Sequence, residues 1–216
     1  MNNLLKISLL LIFSVLFLTA NAQKYSVEAG FVQPKQFGTG FSKSYFNGGK
    51  IGVNVEFELK NNFSLLTGAL YSMVYGNKTQ YYSSTDSVNY KTFGHSIDIP
   101  LHVNYSLPVS KNFKFFAYAG PTIGVGLAQP QKVTAIMSDA MKTFTGINSI
   151  SYANNDLYNK SVIQRINLQM SIGGGIQFKN YRLKSGYDFG INSINKIDSS
   201  KILRQSGWYV SLVYQF

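Results

Sequence analysis

The chain has 216 residues, a net charge of +11, no cysteine and 15% aromatic residues. The lack of cysteine excludes a disulfide framework, lipoprotein processing and cysteine-ligated metal. Basic chains often bind nucleic acid. The N-terminus predicts export, however, so we expect anionic lipid head groups as the counter-charge and no nucleic-acid partner.

Residues 1–22 have the features of a cleaved secretory signal peptide. Lys6 is basic, residues 7–18 are apolar, and a small-x-small motif ends at Ala22. The apolar run of 12 residues is shorter than the roughly 20 that a transmembrane helix needs. We therefore expect cleavage near Ala22 and a single mature domain over 23–216. The sequence has no later run of 18 apolar residues, so we expect no helical membrane anchor.

Eight later stretches alternate apolar and polar residues, which is the period of a β-strand with two different faces. In chain order the predicted strands are 25–33, 48–59, 63–75, 93–107, 113–127, 166–178, 181–192 and 207–216. Short connections, each rich in turn formers, alternate with long ones. This pattern is typical of outer-membrane barrels, with short periplasmic turns and long external loops. It predicts an all-β, eight-stranded antiparallel transmembrane up-and-down β-barrel.

The two faces of these strands differ in charge. In the fourth strand, for example, Leu101 and Val103 share the apolar face, whereas Asp98 and Asn104 lie on the other. A soluble barrel with an apolar pocket would show the same alternation. Aromatic residues at the strand ends and long loops on one side favour the membrane version.

Two prolines inside strands, at 100 and 121, predict β-bulges because proline removes a ladder donor.

The polar face predicts a charge network inside the barrel. Its members are Glu28, Lys50, Glu56, Asp98, Arg182, Lys184 and Asp188. An eight-stranded barrel is just wide enough to be filled by its own side chains, so we expect these charges to pair with one another. A narrow conduit gated by the same charges is the alternative.

The pattern of polar residues predicts no catalytic residue, cofactor or metal site. Asp98 and His102 invite a hydrolase interpretation, but four residues along one strand separate them by about 13 Å. A nucleophile and its base must approach to about 3 Å. The other histidine, His95, has the opposite parity. We expect a protein that is not an enzyme, with a lipid-acting enzyme as a competing class.

The third long loop carries an apolar pattern at helical spacing. Val133, Ile136, Met137, Met141 and Phe144 fall on one face of a helix, which predicts a helix over 132–144. That helix either lies on the barrel mouth or docks an envelope protein partner. The second loop contains Tyr81, Tyr82 and Tyr90 among small polar residues. Such residues suit an adaptable protein-binding surface, but we favour a hairpin that extends beyond the membrane.

The four long loops together contain eleven Lys and Arg residues against four Asp and Glu residues. The external face is therefore basic. Contact with outer-membrane lipid, including the phosphates of anionic lipopolysaccharide, accounts for this charge.

Several short motifs resemble one known family. They are Ile97-Asp98-Ile99-Pro100-Leu101, Tyr118-Ala119-Gly120-Pro121, Gly173-Gly174-Gly175-Ile176, Gly186-Tyr187-Asp188-Phe189-Gly190 and the closing Val213-Tyr214-Gln215-Phe216. In this order they resemble the PorT-like outer-membrane β-barrel family. The resemblance implies the barrel fold, an outer-membrane location, and Phe216 as an aromatic assembly signal. Some members are linked to protein secretion, so a role in a secretion assembly is also implied.

From these observations we predict a structural or interaction scaffold that acts through its extracellular loops and is not an open pore. The alternatives are an accessory component of a protein secretion assembly and a narrow channel.

Overall fold

The computed structural model describes residues 23–81, 87–136, 139, 143, 155–198 and 200–216. These residues are almost entirely extended. The strands are β1 Gln23–Gly38, β2 Phe41–Tyr45, β3 Asn47–Glu58, β4 Phe63–Tyr81, β5 Ser87–Pro108, β6 Phe113–Ala128, β7 Pro130–Ile136, β8 Asn155–Asp156, β9 Ile166–Phe178, β10 Tyr181–Gly190 and β11 Leu203–Gln215.

Eight of these strands close into a ring. Around the ring the order is β1, β3, β4, β5, β6, β9, β10 and β11, and every neighbouring pair is antiparallel. β1 and β11 close the ring through an unbroken register from Ser26↔Gln215 to Gly38↔Leu203. The predicted eight-stranded antiparallel barrel is confirmed.

Three tight turns join the ring strands at one end, where they were predicted. Asn61 and Asn62 have φ angles of 60° and 65°, and Lys179 has a φ of 51°. Asparagine tolerates this left-handed backbone better than most residues. Two consecutive left-handed residues give a mirror-image turn, whose twist matches that of the flanking strands.

At the opposite end the strands continue past their predicted limits. β1 runs to Gly38, turns, and pairs with β2. β4 and β5 stay paired out to Tyr81↔Ser87, so the hairpin extension favoured by the sequence is present. β7 adds to this hairpin by pairing with β5, from Thr92↔Gln131 to Ser87↔Ile136. Residues 76–81, 87–92 and 130–136 form one three-stranded unit, called here the external sheet.

The external sheet overturns the first part of the helix predicted over 132–144. Residues 130–136, including Val133 and Ile136, are strand β7. The β4–β5 hairpin leaves a row of backbone donors and acceptors on the free side of β5, and a strand satisfies them whereas a helix cannot. Asp139 and Thr143 do have helical backbone, and Thr143 Oγ1 donates to the Asp139 carbonyl over 3.1 Å. Met137, Met141 and Phe144 lie outside the described residues.

Pro100 and Pro121 sit in β5 and β6 without the predicted bulges. Pro100 stays paired with Thr122, and Pro121 with Met170, in unshifted register. Within the described strands, the pairing is interrupted on the other side of each proline, where β4 would face Pro100 and β5 would face Pro121. A residue with no N–H leaves its ladder open on one side only, so the wall keeps its register.

The outer wall of the barrel is an apolar band. Ile51 and Val53 are 62% and 57% exposed, far more than large aliphatic side chains in a protein surrounded by water. Rings flank the band near the turns, in pairs such as Phe63 with Tyr105 and Tyr181 with Tyr214. The band and its aromatic girdle match a surface that contacts lipid. No helix among the described residues is long and apolar enough to cross a membrane.

Candidate functional site

Alternate residues of the eight ring strands point into the barrel and fill it. The buried polar side chains on this inner face are Ser26, Glu28, Lys50, Asn54, Glu56, Ser64, Ser72, Thr92, His102, Asn104, Thr122, Gln169, Ser171, Gln177, Arg182, Lys184, Ser211 and Gln215. Buried charges need partners because an unpaired ion loses its hydration. The lumen is therefore the first place to look for a site.

Four residues form the central cluster: Glu28, Lys50, Asn54 and Lys184. Glu28 is only 1% exposed. Lys50 Nζ lies 3.2 Å from its Oε1, and Lys184 Nζ lies 3.3 Å from its Oε2. Asn54 Nδ2 donates to Oε2 over 3.0 Å. One carboxylate thus holds two ammonium groups from strands on either side of the barrel closure.

Two tyrosine rings accommodate the second positive charge of the central cluster. Lys50 Nζ lies 3.4 Å from the ring centroid of Tyr209, and Lys184 Nζ lies 4.9 Å from that of Tyr118. The two hydroxyls are 2.7 Å apart, and Tyr118 also donates to the Ser185 carbonyl. The negative face of an aromatic ring stabilises a desolvated cation. Aromatic rings and ion pairs together close the lumen at this level.

Closer to the short turns lies the periplasmic cluster, built on Glu56 and Arg182. Arg182 Nη1 approaches Glu56 Oε2 to 2.7 Å. Gln215 Nε2 donates to the same oxygen over 3.1 Å. Asn104 Nδ2 donates to Oε1 over 3.2 Å, and the Ser64 hydroxyl donates to it as well. Both carboxylate oxygens have two partners, which is the condition for a stable buried ion.

Asp98 and Asp188 lie on the external side of the central cluster and are bound differently. Ser72 Oγ donates to Asp98 over 2.7 Å, with Ser96 Oγ at 3.5 Å. Ser171 Oγ donates to Asp188 over 2.6 Å. No lysine or arginine in the described part of the chain comes within 4 Å of either carboxylate. Of the seven residues of the predicted network, the structure brings five into direct ion pairs and leaves these two to hydroxyl groups.

A line of hydrogen bonds crosses the lumen from His102 to Asp188. His102 Nε2 lies 2.9 Å from Thr122 Oγ1, which lies 2.8 Å from Ser171 Oγ. Ser171 then donates to Asp188. The histidine does not contact the serine directly, and Ser171 has no exposed surface. A nucleophile needs its base within hydrogen-bond reach and needs access to substrate, so this arrangement has the geometry of lumen packing.

Small cavities begin at the central cluster and continue to the external mouth. Volumes are about 40, 60 and 40 Å³, and Asp98 lines all three. Lys50 and Lys184 line the innermost, while Arg165 lines the outermost. Each is large enough for water and lined by polar groups. Within the described residues, no three His, Asp or Glu side chains are placed to hold a metal ion.

Residues 157–165 and 191–198 fold over the external mouth and form the mouth cap. Ile163, Ile194 and Leu203 make a small buried core beneath it. Arg165 Nη1 donates to the Gly126 carbonyl over 3.0 Å, and its guanidinium lies 5.1 Å from the ring centroid of Tyr158. Burial raises the pKa of Tyr158 to about 12, so its hydroxyl stays protonated. The cap narrows access to the cavities from outside.

Several residues that shape the lumen were not predicted as site residues. Leu66 and Leu70 of β4 are buried inside, at 6% and 4% exposed, although their face is otherwise polar. Tyr118 and Tyr209 were not selected either. Parity was the available signal for all four, since each shares a face with known lumen residues. Phe216, the predicted assembly signal, is 71% exposed, and its backbone N–H donates to the Tyr25 carbonyl over 2.9 Å.

A closed ring with an apolar outer wall and a charge-filled lumen defines a small transmembrane β-barrel. The sequence matches the family described as "Outer membrane protein beta-barrel domain" over residues 14–196, and the chain belongs to this family. It is therefore an outer-membrane β-barrel protein. Curated proteins give no match.

Several solved structures of outer-membrane and surface proteins are similar to the chain at low identity. Neisserial surface protein A is 12% identical with a TM-score of 0.45, covering 91% of this chain and 100% of that one. Ail, the attachment invasion locus protein of Yersinia pestis, is 11% identical with a TM-score of 0.37, covering 89% and 98%. The outer membrane enzyme PagL is 11% identical with a TM-score of 0.33, covering 89% and 99%.

Proposed function

We propose that this protein is an outer-membrane interaction scaffold that binds an envelope or extracellular partner through the external sheet. The observation that carries the proposal is the open edge of β4. Pairing of β3 with β4 ends at Asn47↔Tyr75, whereas pairing of β4 with β5 continues to Tyr81↔Ser87. Among the described residues, 76–81 thus form a ladder with β5 alone, while β2 lies nearby and contacts β4 through the Lys78–Ser42 hydrogen bond without pairing with it. An unpaired edge is a ready template for an added strand.

The side chains of the external sheet suit protein recognition. Tyr81 is 76% exposed. Asn89 Nδ2 donates to Asn77 Oδ1 over 2.7 Å and to Thr79 Oγ1 over 2.9 Å, which stiffens the hairpin across its strands. Tyrosine supplies contact area at low entropic cost, and small polar residues supply adaptable hydrogen bonds. A rigid hairpin with these groups at its tip is a good binding element.

The charge of the external sheet points to an acidic partner surface. Lys91 and Lys132, paired across β5 and β7, are exposed, and Lys78 lies on the neighbouring strand. Lys78 Nζ donates to the Ser42 carbonyl, and no carboxylate among the described residues comes within 4 Å of these three ammonium groups. Complementary charge raises association rates and selects partners. Anionic lipopolysaccharide is the abundant acidic neighbour of such a surface.

Export and family membership are also part of the proposed function. A signal peptide over 1–22, cut near Ala22, would deliver the barrel domain 23–216 to the outer membrane. PorT-like kinship is supported by the motifs in β5, β6, β9 and β10. An accessory role in a secretion assembly is the second candidate, because that kinship implies it. We do not assign an enzymatic activity, since the lumen serine and histidine are separated by a threonine.

The proposal is tested by placing a photo-crosslinking amino acid at three positions in cells. Tyr81 is at the external hairpin tip, Asn61 is in a periplasmic turn, and Leu212 is on the lipid-facing wall. We expect an adduct of discrete mass from Tyr81 and none from Leu212, which serves as the matched exposed control. A discrete adduct from Asn61 alone would instead favour the secretion-assembly role. Absence of any adduct at Tyr81 in well-assembled protein would contradict the proposal.

A further inference from the structure

A groove runs along the outer wall where β9, β10 and β11 meet. Gly174 and Ser185 pair directly across β9 and β10, so two adjacent outward positions carry almost no side-chain volume. Ile172, Trp208 and Val210 stand around them. The depression is shallow and open on its outer side, with a volume of about 540 Å³. It is a slot in a surface that is otherwise covered by large apolar side chains.

The groove faces the hydrocarbon part of the membrane. Leu183 and Leu212, neighbours on the same strands, are 49% and 55% exposed on the same wall. Trp208 forms one side, and its Nε1 donates to Gln33 Oε1 over 2.7 Å, which fixes the indole at the external end of the slot. Indole rings favour the boundary between hydrocarbon and head groups. Whatever fills the slot is therefore apolar below Trp208 and polar above it.

Directly above the slot lies a group of cations on the same wall. Lys35 pairs with Ser206 in the β1–β11 register, two residues beyond Trp208 and about 7 Å further along the strand. Its Nζ lies 5.7 Å from the ring centroid of Tyr187, which itself lines the groove. Arg204 pairs with Phe37 a further two residues on. The cations and the slot are thus consecutive parts of one surface.

A second recess of about 410 Å³ continues this surface outward. Phe37, Phe41 and Ile202 line it together with Lys43 and Arg204. Aromatic rings beside cations form an amphiphilic rim at the level where head groups lie. The recess extends the polar end of the site sideways from Arg204 to β2.

Lys35, Lys43 and Arg204 have no acidic partner among the described residues, since no carboxylate lies within 4 Å of them. Two other surface lysines do have one: Lys24 contacts Glu58, and Lys201 contacts Asp198. Three unpaired cations above an apolar slot are complementary to a molecule with a negative head and an apolar tail. Electrostatic attraction of this kind is worth about 1 kcal/mol per cation near a membrane surface, or roughly fivefold in affinity.

We propose that this wall binds one outer-leaflet lipid with an anionic phosphate head group. Its acyl chain lies in the slot over Gly174 and Ser185, and its phosphate contacts Lys35, Arg204 and Lys43. The site is distinct from the external sheet and stands or falls independently of the interaction role proposed above.

The chain contains a single tryptophan, and it lines the groove, so Trp208 reports occupancy directly. Purified protein is reconstituted into phosphatidylcholine vesicles that contain a fixed fraction of dibrominated phosphatidylglycerol or dibrominated phosphatidylcholine. Bromine quenches indole fluorescence on contact. We expect several-fold stronger apparent binding of the anionic lipid. Equal quenching by the two lipids would overturn the proposal.

Variants separate the head-group and acyl-chain parts of the site. Substituting Lys35, Lys43 and Arg204 together by glutamine should remove the preference. Substituting Lys160 and Lys196 by glutamine removes exposed positive charge elsewhere on the external side and should leave the preference intact. Ser185→Leu fills the slot without disturbing a buried position and should weaken quenching by both lipids.

Three results would contradict the proposal. Loss of the preference in the control variant of Lys160 and Lys196 would assign it to general surface charge. No effect of Ser185→Leu would mean that no acyl chain occupies the slot. Inorganic phosphate, added at the bulk concentration of the lipid phosphate, should leave the preference unchanged, and if it removed the preference the site would be one for a free anion.

Discussion

The buried carboxylates have different partners in the two halves of the lumen. In the half that includes the turns, Glu28 and Glu56 each contact at least one cation within 3.3 Å. In the half toward the mouth, Asp98 and Asp188 are held by serine hydroxyls. Three small cavities lie in the half toward the mouth, and Asp98 lines each of them.

This difference shows how an eight-stranded barrel is closed. A buried ion pair that excludes water is stable only when each charge has its hydrogen-bonding and charged partners. The paired side chains also fill the space between the strands. Carboxylates bound by hydroxyl groups keep room for water beside them. The lumen is thus filled by side chains at the central cluster, and the cavities with room for water lie from there to the mouth cap. Four experiments test this account of the barrel, from the largest expected effect to the smallest.

Glu28→Ala should have the largest effect. It leaves the ammonium groups of Lys50 and Lys184 buried with no carboxylate between them, and removing one partner of a buried pair costs about 3–5 kcal/mol. The free energy of unfolding, measured by urea titration in lipid vesicles with Trp208 fluorescence, should fall by this amount. The exposed pair provides the control: Glu58→Ala should change it by less than about 1 kcal/mol. Equal losses in the two variants would refute a special role for the central cluster.

Val103→Arg tests the same wall from its lipid side. Val103 is 48% exposed on the apolar face, and an arginine at mid-membrane depth costs about 2–4 kcal/mol. Folding yield into vesicles, read from the fraction that resists heat denaturation on a gel, should drop. Val103→Leu keeps the apolar surface and should fold normally. A variant that remained soluble without detergent would show that the band does not face lipid.

Asp188→Asn should have a small effect. The amide oxygen can still accept from Ser171, and the exchange of one hydrogen bond for a similar one changes stability by about 1 kcal/mol or less. The same urea titration measures it. A loss as large as that of Glu28→Ala would mean that Asp188 carries an ion-pair role and would erase the contrast between the two halves.

The smallest expected signal is conductance. With the central cluster and both tyrosines closing the lumen, purified protein in a planar bilayer should show no stable single-channel steps. Replacing Glu28, Lys50 and Lys184 together by alanine joins the mouth cavities to the space beyond the cluster and provides the positive comparison. Reproducible steps from the unmodified protein, altered by Arg182→Gln, would establish the narrow-channel alternative.

Much of the barrel could be predicted from sequence because its signal is local. Apolar and polar residues alternate with a period of two, so the two faces of each of the eight strands can be read from its own sequence. The parity of Glu28, Lys184 and Asp188 places all three on the inner face, even when the neighbouring strands are unknown. The turn at Asn61 and Asn62 is also local, since left-handed backbone favours asparagine.

What could not be predicted depends on contacts between distant segments. The parity of Leu70 indicates the inward face, but its place opposite Gly52 depends on the pairing of β3 with β4. Strand β7 forms because β5 already presents an open edge, and within 130–136 the residues themselves fit a helix as well as a strand. The extension of β4 and β5 was favoured only through its tyrosines. Ion-pair choice inside the lumen likewise depends on which of several cations lies nearest.

The prolines of β5 and β6 bear on how the ring would give way under load. At the seam where the first and last strands meet, thirteen consecutive residue pairs run without a break. Beside Pro100 and Pro121 the ladders between β4, β5 and β6 are interrupted instead. We therefore expect the strands to separate first on the side opposite the chain ends, so that amide protons next to Gly68 and Leu101 exchange with deuterium before those of the seam.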